Sequence, residues 1–217
     1  MKEVICIVLV CLSFSCQSPH IPVSEDAKVI KSVPLYRLDT SRFKEARAFC
    51  ANGKYNSNVA FFSDMGRRSG LKRFFVVDLS NDSILDAGMV THGHCQSYGS
   101  IKPHFSNDVG SNCTSLGKYK IGYKYDGSFG TAYKLHGLNA SNSNAFDRYV
   151  VLHSHTCVPM QESVIGICRS EGCPTIAPQF LSRLEGIIDQ SKKPILLWVF
   201  SDVMNCKNNF CLICYVI

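Results

Sequence analysis

ICRSEGCPT, Ile167 to Thr175, sets two cysteines five positions apart, with a serine, an acid and a glycine between them and a proline directly after the second. Such a stretch closes a disulfide loop, supplies half of a metal site, or forms the turn that presents a nucleophile. A thiol at its ordinary pKa of about 8.5 is only slightly ionised at neutrality, so a nucleophilic cysteine needs a base or cation beside it and an accessible position. Gly172 allows close backbone approach next to Cys173, and adjacent amides of the turn can face a developing oxyanion, where one donor is worth ~2.7–4 kcal/mol. Upstream, RYVVLHSHT, Arg148 to Thr156, reads as an apolar strand that ends in polar chemistry. Strand alternation puts Val151, His153 and His155 on one face and Leu152 and Ser154 on the other. An imidazole titrates in the range that suits a general base, so strand, loop and turn can join His153 to Cys173. His155 is the alternative base on the same face.

Further from the turn, TSRFKEARAFCANG predicts a short amphipathic helix capped at Thr40 or Ser41, with Phe43, Ala46, Phe49 and Cys50 inward and Gly53 as the stop. RFFVVDLSNDSILDAGMVTHG holds two β-rich runs around Ser80-Asn81-Asp82, a hairpin pattern. Cys95 to Asn144 is rich in Gly, Ser, Asn and Tyr, which predicts loops and short strands. After the turn, PQFLSRLEGIIDQSKK has helical spacing at Phe180, Leu181, Leu184, Ile187 and Ile188, and PILLWVF reads as a buried strand.

The 217 residues are 46% hydrophobic and 18% charged, enough for one sizeable core. Lys and Arg outnumber Asp and Glu by 23 to 17 but are scattered, which describes a solvated surface rather than a nucleic-acid patch. At the start, MKEVICIVLVCLSFSCQS has one early basic residue and an apolar run from Val4 to Leu12, far shorter than the ~20 residues of a membrane-spanning helix. It reads as an export signal over residues 1–15. LSFSC resembles a bacterial lipobox, with Cys16 as the lipidated N-terminus. A polar tether over 16–31, a domain over 32–202 and a cysteine-rich extension over 203–217 complete the division. Export exposes thiols to oxidation. With Cys6, Cys11, Cys16 and Cys173 set aside, eight of the twelve cysteines remain, an even number whose connectivity sequence leaves open.

His153-Ser154, a loop, then S-x-G-C at Ser170 to Cys173 resembles the signature of YkuD-type L,D-transpeptidases. HGHCQSYGS, FSN, GS, SLGKY, LHGLN, NAFDRYVVLH and RSEGCP together resemble the murein L,D-transpeptidase catalytic-domain branch, from about Val33 to Phe200. Two departures stand out. Glu171 occupies a position where many of these enzymes have histidine, and Pro174-Thr175 replaces a frequent pair whose second member is Arg or Asn. The substrate carboxylate then needs another partner, Arg169 or Arg148.

The resemblance implies a mainly β fold, a sandwich or barrel of mixed sheets with a few flanking helices. It implies acyl transfer on peptidoglycan stem peptides, with Cys173 as nucleophile, His153 as base, and Gly172 and Ser154 beside them. His92, Gly93, Tyr98, Ser106, Asn107, Arg169 and Ser170 would form the substrate wall. No cofactor or metal is expected, and the product is expected to be an envelope-located monomer, periplasmic or lipid-anchored. Water as acceptor would make the site an L,D-carboxypeptidase. Two readings from other classes compete: a zinc hydrolase built on HGHC and HSHTC, His92 to Cys95 and His153 to Cys157, and a noncatalytic, disulfide-stapled envelope-binding domain. For Cys173 the plain alternative is a bridge to Cys157 or Cys168.

Overall fold

A computed structural model describes residues 38–96 and 103–201. The export signal, the tether, the C-terminal extension and Tyr98 lie outside the described residues. Among the described residues eight strands carry the fold: β1 (Val59–Asp64), β2 (Phe74–Asp78), β3 (Ser83–Gly88), β4 (Gly117–Gly127), β5 (Gly130–Gly137), β6 (Val151–Ser154), β7 (Thr175–Ile176) and β8 (Leu196–Phe200). Among the described residues two α-helices join them, α1 (Thr40–Cys50) and α2 (Pro178–Gln190), together with a 3-10 helix at Ala140–Ala145. None of the helices among the described residues is long and apolar enough to cross a membrane.

The strands make one mixed sheet in the order β3-β2-β1-β8-β4-β5-β6-β7. β1 runs parallel to β8 and β6 parallel to β7, and the other neighbours are antiparallel. The chain leaving edge strand β3 reaches the opposite edge at once: Val90 bridges Ile176, and Thr91 N–H donates to the Thr175 carbonyl at 2.9 Å. Residues 90 and 91 therefore draw the two edges together and fold the sheet back on itself, the mainly β, barrel-like form expected from the sequence.

Alternation sorts the central strands. Phe61, Phe74, Val76, Tyr119, Ile121, Tyr133, Leu135, Leu152, Leu197 and Val199 meet Phe180, Leu181 and Leu184 of α2 in the main core. Gly88 lets α2 lie directly on β3, since a β-carbon there would sit 2.3 Å from the Phe180 ring. On the other face Phe62 packs edge-on against Phe43 of α1 and against Trp198. β1 and β8 are thus apolar on both faces, which is why VAFFSD and LLWVF read as runs without a period.

Three expectations are adjusted. The α1 cap is Asp39, whose carboxylate accepts the Ser41 N–H at 2.9 Å, rather than Thr40 or Ser41, and Phe49 leaves the core face to pack on Tyr55. The β2–β3 hairpin forms as expected, its turn tied by Asp78 accepting from Ser80 and Asn81. Between Cys95 and Asn144, however, lies the longest hairpin of the fold, 11 residues in β4 and 8 in β5. Its glycines mark a two-residue turn at Ser128-Phe129 and a register shift between Ile121 and Lys124, while Tyr119, Ile121, Tyr133 and Leu135 supply the buried side.

Candidate active site

The Arg169 to Pro174 turn is held by backbone before any side chain acts. Ser170 bridges Gly93, takes a bond from His94 N–H and gives one to the His92 carbonyl, both at 3.0 Å. Gly172 has φ +108, and a β-carbon there would meet the Cys113 carbonyl oxygen at 2.7 Å, so only glycine fits both the conformation and the space. Its own carbonyl accepts from the Thr114 hydroxyl at 3.2 Å. The Ser170 and Thr91 hydroxyls donate to the Cys173 carbonyl at 2.6 and 3.2 Å, and the Thr175 hydroxyl oxygen lies 3.4 Å from it. They turn that carbonyl away, while the Cys173 N–H donates to no group among the described residues.

Cys173 is a free, half-buried thiol. Cys157 pairs with Cys168 and Cys95 with Cys113, so the bridge alternative for Cys173 is removed by its own candidate partners bonding each other. Its sulfur lies 3.8 Å from the Tyr149 carbonyl. Burial pushes the thiol up from its ordinary pKa; the Val151 amide, Lys134 and Arg148 pull it down, and Glu171 adds to the rise.

His153 sits on β6 between Ala132 of β5 and Thr175 of β7. Its Nδ1 is 3.2 Å from the Ser154 carbonyl, which can only accept, so Nδ1 carries the proton. Nε2 therefore offers its lone pair, here 2.9 Å from the Thr175 hydroxyl. Phe129, at the tip of the β4–β5 hairpin, stacks on the imidazole at 5.4 Å and meets His155 edge-on at 5.3 Å. Burial, with His155 nearby, keeps the His153 pKa below the usual range and favours the neutral ring.

Cys173 and His153 open onto one cleft of about 360 Å³. Val151 and His155 share it with His153, as alternation requires, and Arg169, Ser170, Glu171, Tyr125 and Phe129 complete much of the wall. The other predicted wall residues that are described, His92, Gly93, Ser106 and Asn107, stand elsewhere. His92 and Gly93 brace the turn from behind; His92 is buried with Nδ1 2.9 Å from the Arg73 guanidinium. Ser106 and Asn107 organise a neighbouring loop, Ser106 through its carbonyl to Arg148 and Asn107 through Ala140, Ser143 and Asn144. Hydrophilic loop residues near a motif in sequence were satisfying backbone rather than facing the cleft. Ser154 contributes its carbonyl to His153.

Of the two arginines, Arg148 is committed to the carbonyls of Ser106 and Cys113 and the Ser111 hydroxyl, leaving Arg169 as the one on the cleft. Glu171 accepts or shares a proton with His94 Nε2 at 2.6 Å. The bridges take Cys95 and Cys157 out of the two His-Cys clusters, and no group of three His, Cys, Asp or Glu suited to a metal is present among the described residues. Sequence reasoning passed over Thr91, Thr114, Phe129 and Lys134. Only Phe129 had a legible signal, the Gly-Ser-Phe-Gly turn between two β-rich runs.

Comparison with known proteins gives the family. A family model described as L,D-transpeptidase catalytic domain matches residues 35–200. No curated protein matches. Among solved structures, the chain is similar to an L,D-transpeptidase from Xylanimonas cellulosilytica (10% identity, TM-score 0.36, covering 70% of this chain and 68% of that one). It is also similar to the helical cell shape determining protein Pgp2 from Campylobacter jejuni (11% identity, TM-score 0.42, 66% and 48%). A third is L,D-transpeptidase 1 from Mycobacterium tuberculosis (14% identity, TM-score 0.35, 66% and 62%), so the chain spans about half to two thirds of the length of these proteins. Over residues 35–200, which is most of its length, the chain belongs to the L,D-transpeptidase catalytic-domain family.

Proposed function

We propose that this chain is an exported cysteine acyltransferase acting on peptidoglycan stem peptides, with Cys173 as nucleophile and His153 as general base. His153 Nε2 takes the thiol proton as the sulfur attacks the carbonyl that follows the L-centre of a diaminopimelate residue. The tetrahedral intermediate places its oxyanion toward the Cys173 N–H. It collapses as the imidazolium returns its proton to the departing D-alanine amine, leaving a thioester. An amine from a second stem peptide or an anchored protein then attacks, gives a proton to His153 and expels the thiolate, which is reprotonated.

The observation that supports this reading most directly is a free thiol and a tautomerically defined imidazole on one cleft, with the neighbouring cysteines engaged in bridges. Arg169 is the candidate for holding the substrate carboxylate. The same site with water as acceptor is an L,D-carboxypeptidase. The two bridges beside the turn fit an oxidising envelope compartment, and anchoring through Cys16, a monomeric state and the family's cell-wall setting belong to the same proposal.

Carbapenem exposure followed by intact-mass measurement tests the chemistry. Opening of the β-lactam ring by the Cys173 thiol gives a covalent adduct of the full drug mass, and Cys173→Ala gives none. An adduct that persists in Cys173→Ala, or none on folded wild type with its bridges intact, counts against the assignment. With a tetrapeptide and an amine acceptor, the ratio of cross-linked to hydrolysed product separates transpeptidase from carboxypeptidase.

A further inference from the structure

Lys134 is a buried cation that the family signature does not include. It lies on β5 opposite Val151 of β6 and is only 5% exposed. Its Nζ donates to the Phe146 carbonyl at 2.9 Å and sits 4.5 and 4.8 Å from the ring centroids of Phe146 and Tyr149. An ammonium carries three donors, and a buried one is costly unless a negative charge balances it. Lys118 and Lys124 have carboxylate partners, whereas Lys134 forms no ion pair among the described residues. Its surroundings call for an anion.

The cleft offers one at the same short stretch of backbone. Tyr149 turns its ring to Lys134 and its carbonyl to the Cys173 sulfur, and Val151, the residue paired with Lys134 across the strands, lines the same cleft as that sulfur. We infer that the Lys134 ammonium is the resident counter-charge of the Cys173 thiolate, an inference that rests on Cys173 being the nucleophile.

Arg148 also favours the thiolate, but less than Lys134 does. Arg148 spends its donors on three oxygens, Glu171 opposes a thiolate, and Tyr119 and Tyr125 are phenols that face it from β4. His153 on β6 is kept neutral, and the Asp147 carboxylate acts on Lys134 only at a distance beyond an ion pair. Burial drives the thiol up and Lys134 down, and each pulls the other back toward its charged form. The ammonium would thus stabilise the thiolate twice: when His153 removes the proton, and when the acceptor amine expels sulfur from the thioester.

The test is the pH dependence of Cys173 alkylation by iodoacetamide in the full oxidised chain, read by peptide mass mapping at that cysteine. The thiolate displaces iodide, forming an S–C bond, so rate follows its ionised fraction. Lys134→Met should raise the midpoint by about one unit and slow alkylation near neutrality about tenfold, while Lys134→Arg should stay within about half a unit of wild type. Reciprocally, NMR titration of the unmutated Lys134 in Cys173→Ser should show its pKa lowered against wild type, a reading that survives even if Lys134→Met does not fold. An unchanged midpoint in folded Lys134→Met, or an unchanged Lys134 titration in Cys173→Ser, overturns the inference. A coupled titration without a carbapenem adduct would instead keep the ion pair and reject the acyl-transfer reading.

Discussion

Gly172 stands between two constraints that a side chain violates together, a left-handed φ of +108 and a Cys113 oxygen 2.7 Å from where a β-carbon would lie. Gly172→Ala should lose about 1–3 kcal/mol in urea unfolding and slow carbapenem acylation, because the strained turn moves Cys173 against His153. Next to it, the depressed pKa of His153 has a definite kinetic sign. The neutral ring is the working base, so lowering its pKa extends activity to the acid side: the acid limb of the acylation profile should fall below the ordinary histidine value of about 6.5. His153→Gln should remove that limb and cost on the order of 10²–10⁴ in rate. A limb at or above that value would mean the ring is not buried as described.

The β4–β5 hairpin reaches over the cleft, and its tip residue Phe129 is 60% exposed while stacked on His153. A large apolar ring left that open contributes little to stability, yet it keeps water from the imidazole. Phe129→Ala should leave the melting temperature nearly unchanged and move the His153 titration, followed by NMR, upward toward the ordinary value. No movement would show that the burial comes from elsewhere. The Cys157–Cys168 bridge closes the segment that runs from β6 to the nucleophile turn, at a separation of 11 residues. Replacing both cysteines by serine should cost about 2–3 kcal/mol, checked by denaturant unfolding, by releasing that loop in the unfolded chain.

Across the fold, stability should depend on pH through His92. Burial and the adjacent Arg73 and Arg169 hold its pKa down to about 4, against an unfolded value of about 6.5. Between those values the unfolded chain binds a proton that the folded chain refuses, so the contribution is complete above pH ~6.5 and is lost as pH falls toward 4. The size is on the order of 3 kcal/mol at most. Unfolding free energy measured from pH 7 to 4 should fall accordingly, and His92→Gln should flatten part of the slope; an unaltered slope would assign the acid sensitivity to other groups. Since His92 and Arg73 back the segment that pins Ser170, acid should loosen the nucleophile turn before the rest of the sheet.

The local codes were legible because they depend on neighbours in the chain. Helical spacing located α2, two β-rich runs around Ser80 to Asp82 located the β2–β3 hairpin, and alternation put Val151, His153 and His155 on one face. The order of motifs around Ser170 to Cys173 also pointed to the family that the residue 35–200 match shows. Other features were illegible because they depend on residues far apart in sequence. The length of β4 is set by pairing with both β5 and β8, and the Tyr- and Gly-rich text between Cys95 and Asn144 does not reveal those partners. Which cysteines pair and whether Ser106 faces the cleft or a loop were settled when the sheet curled and brought Val90 to Ile176. A periodic pattern says which way a side chain points from its own backbone; only closure of the sheet says what it meets there.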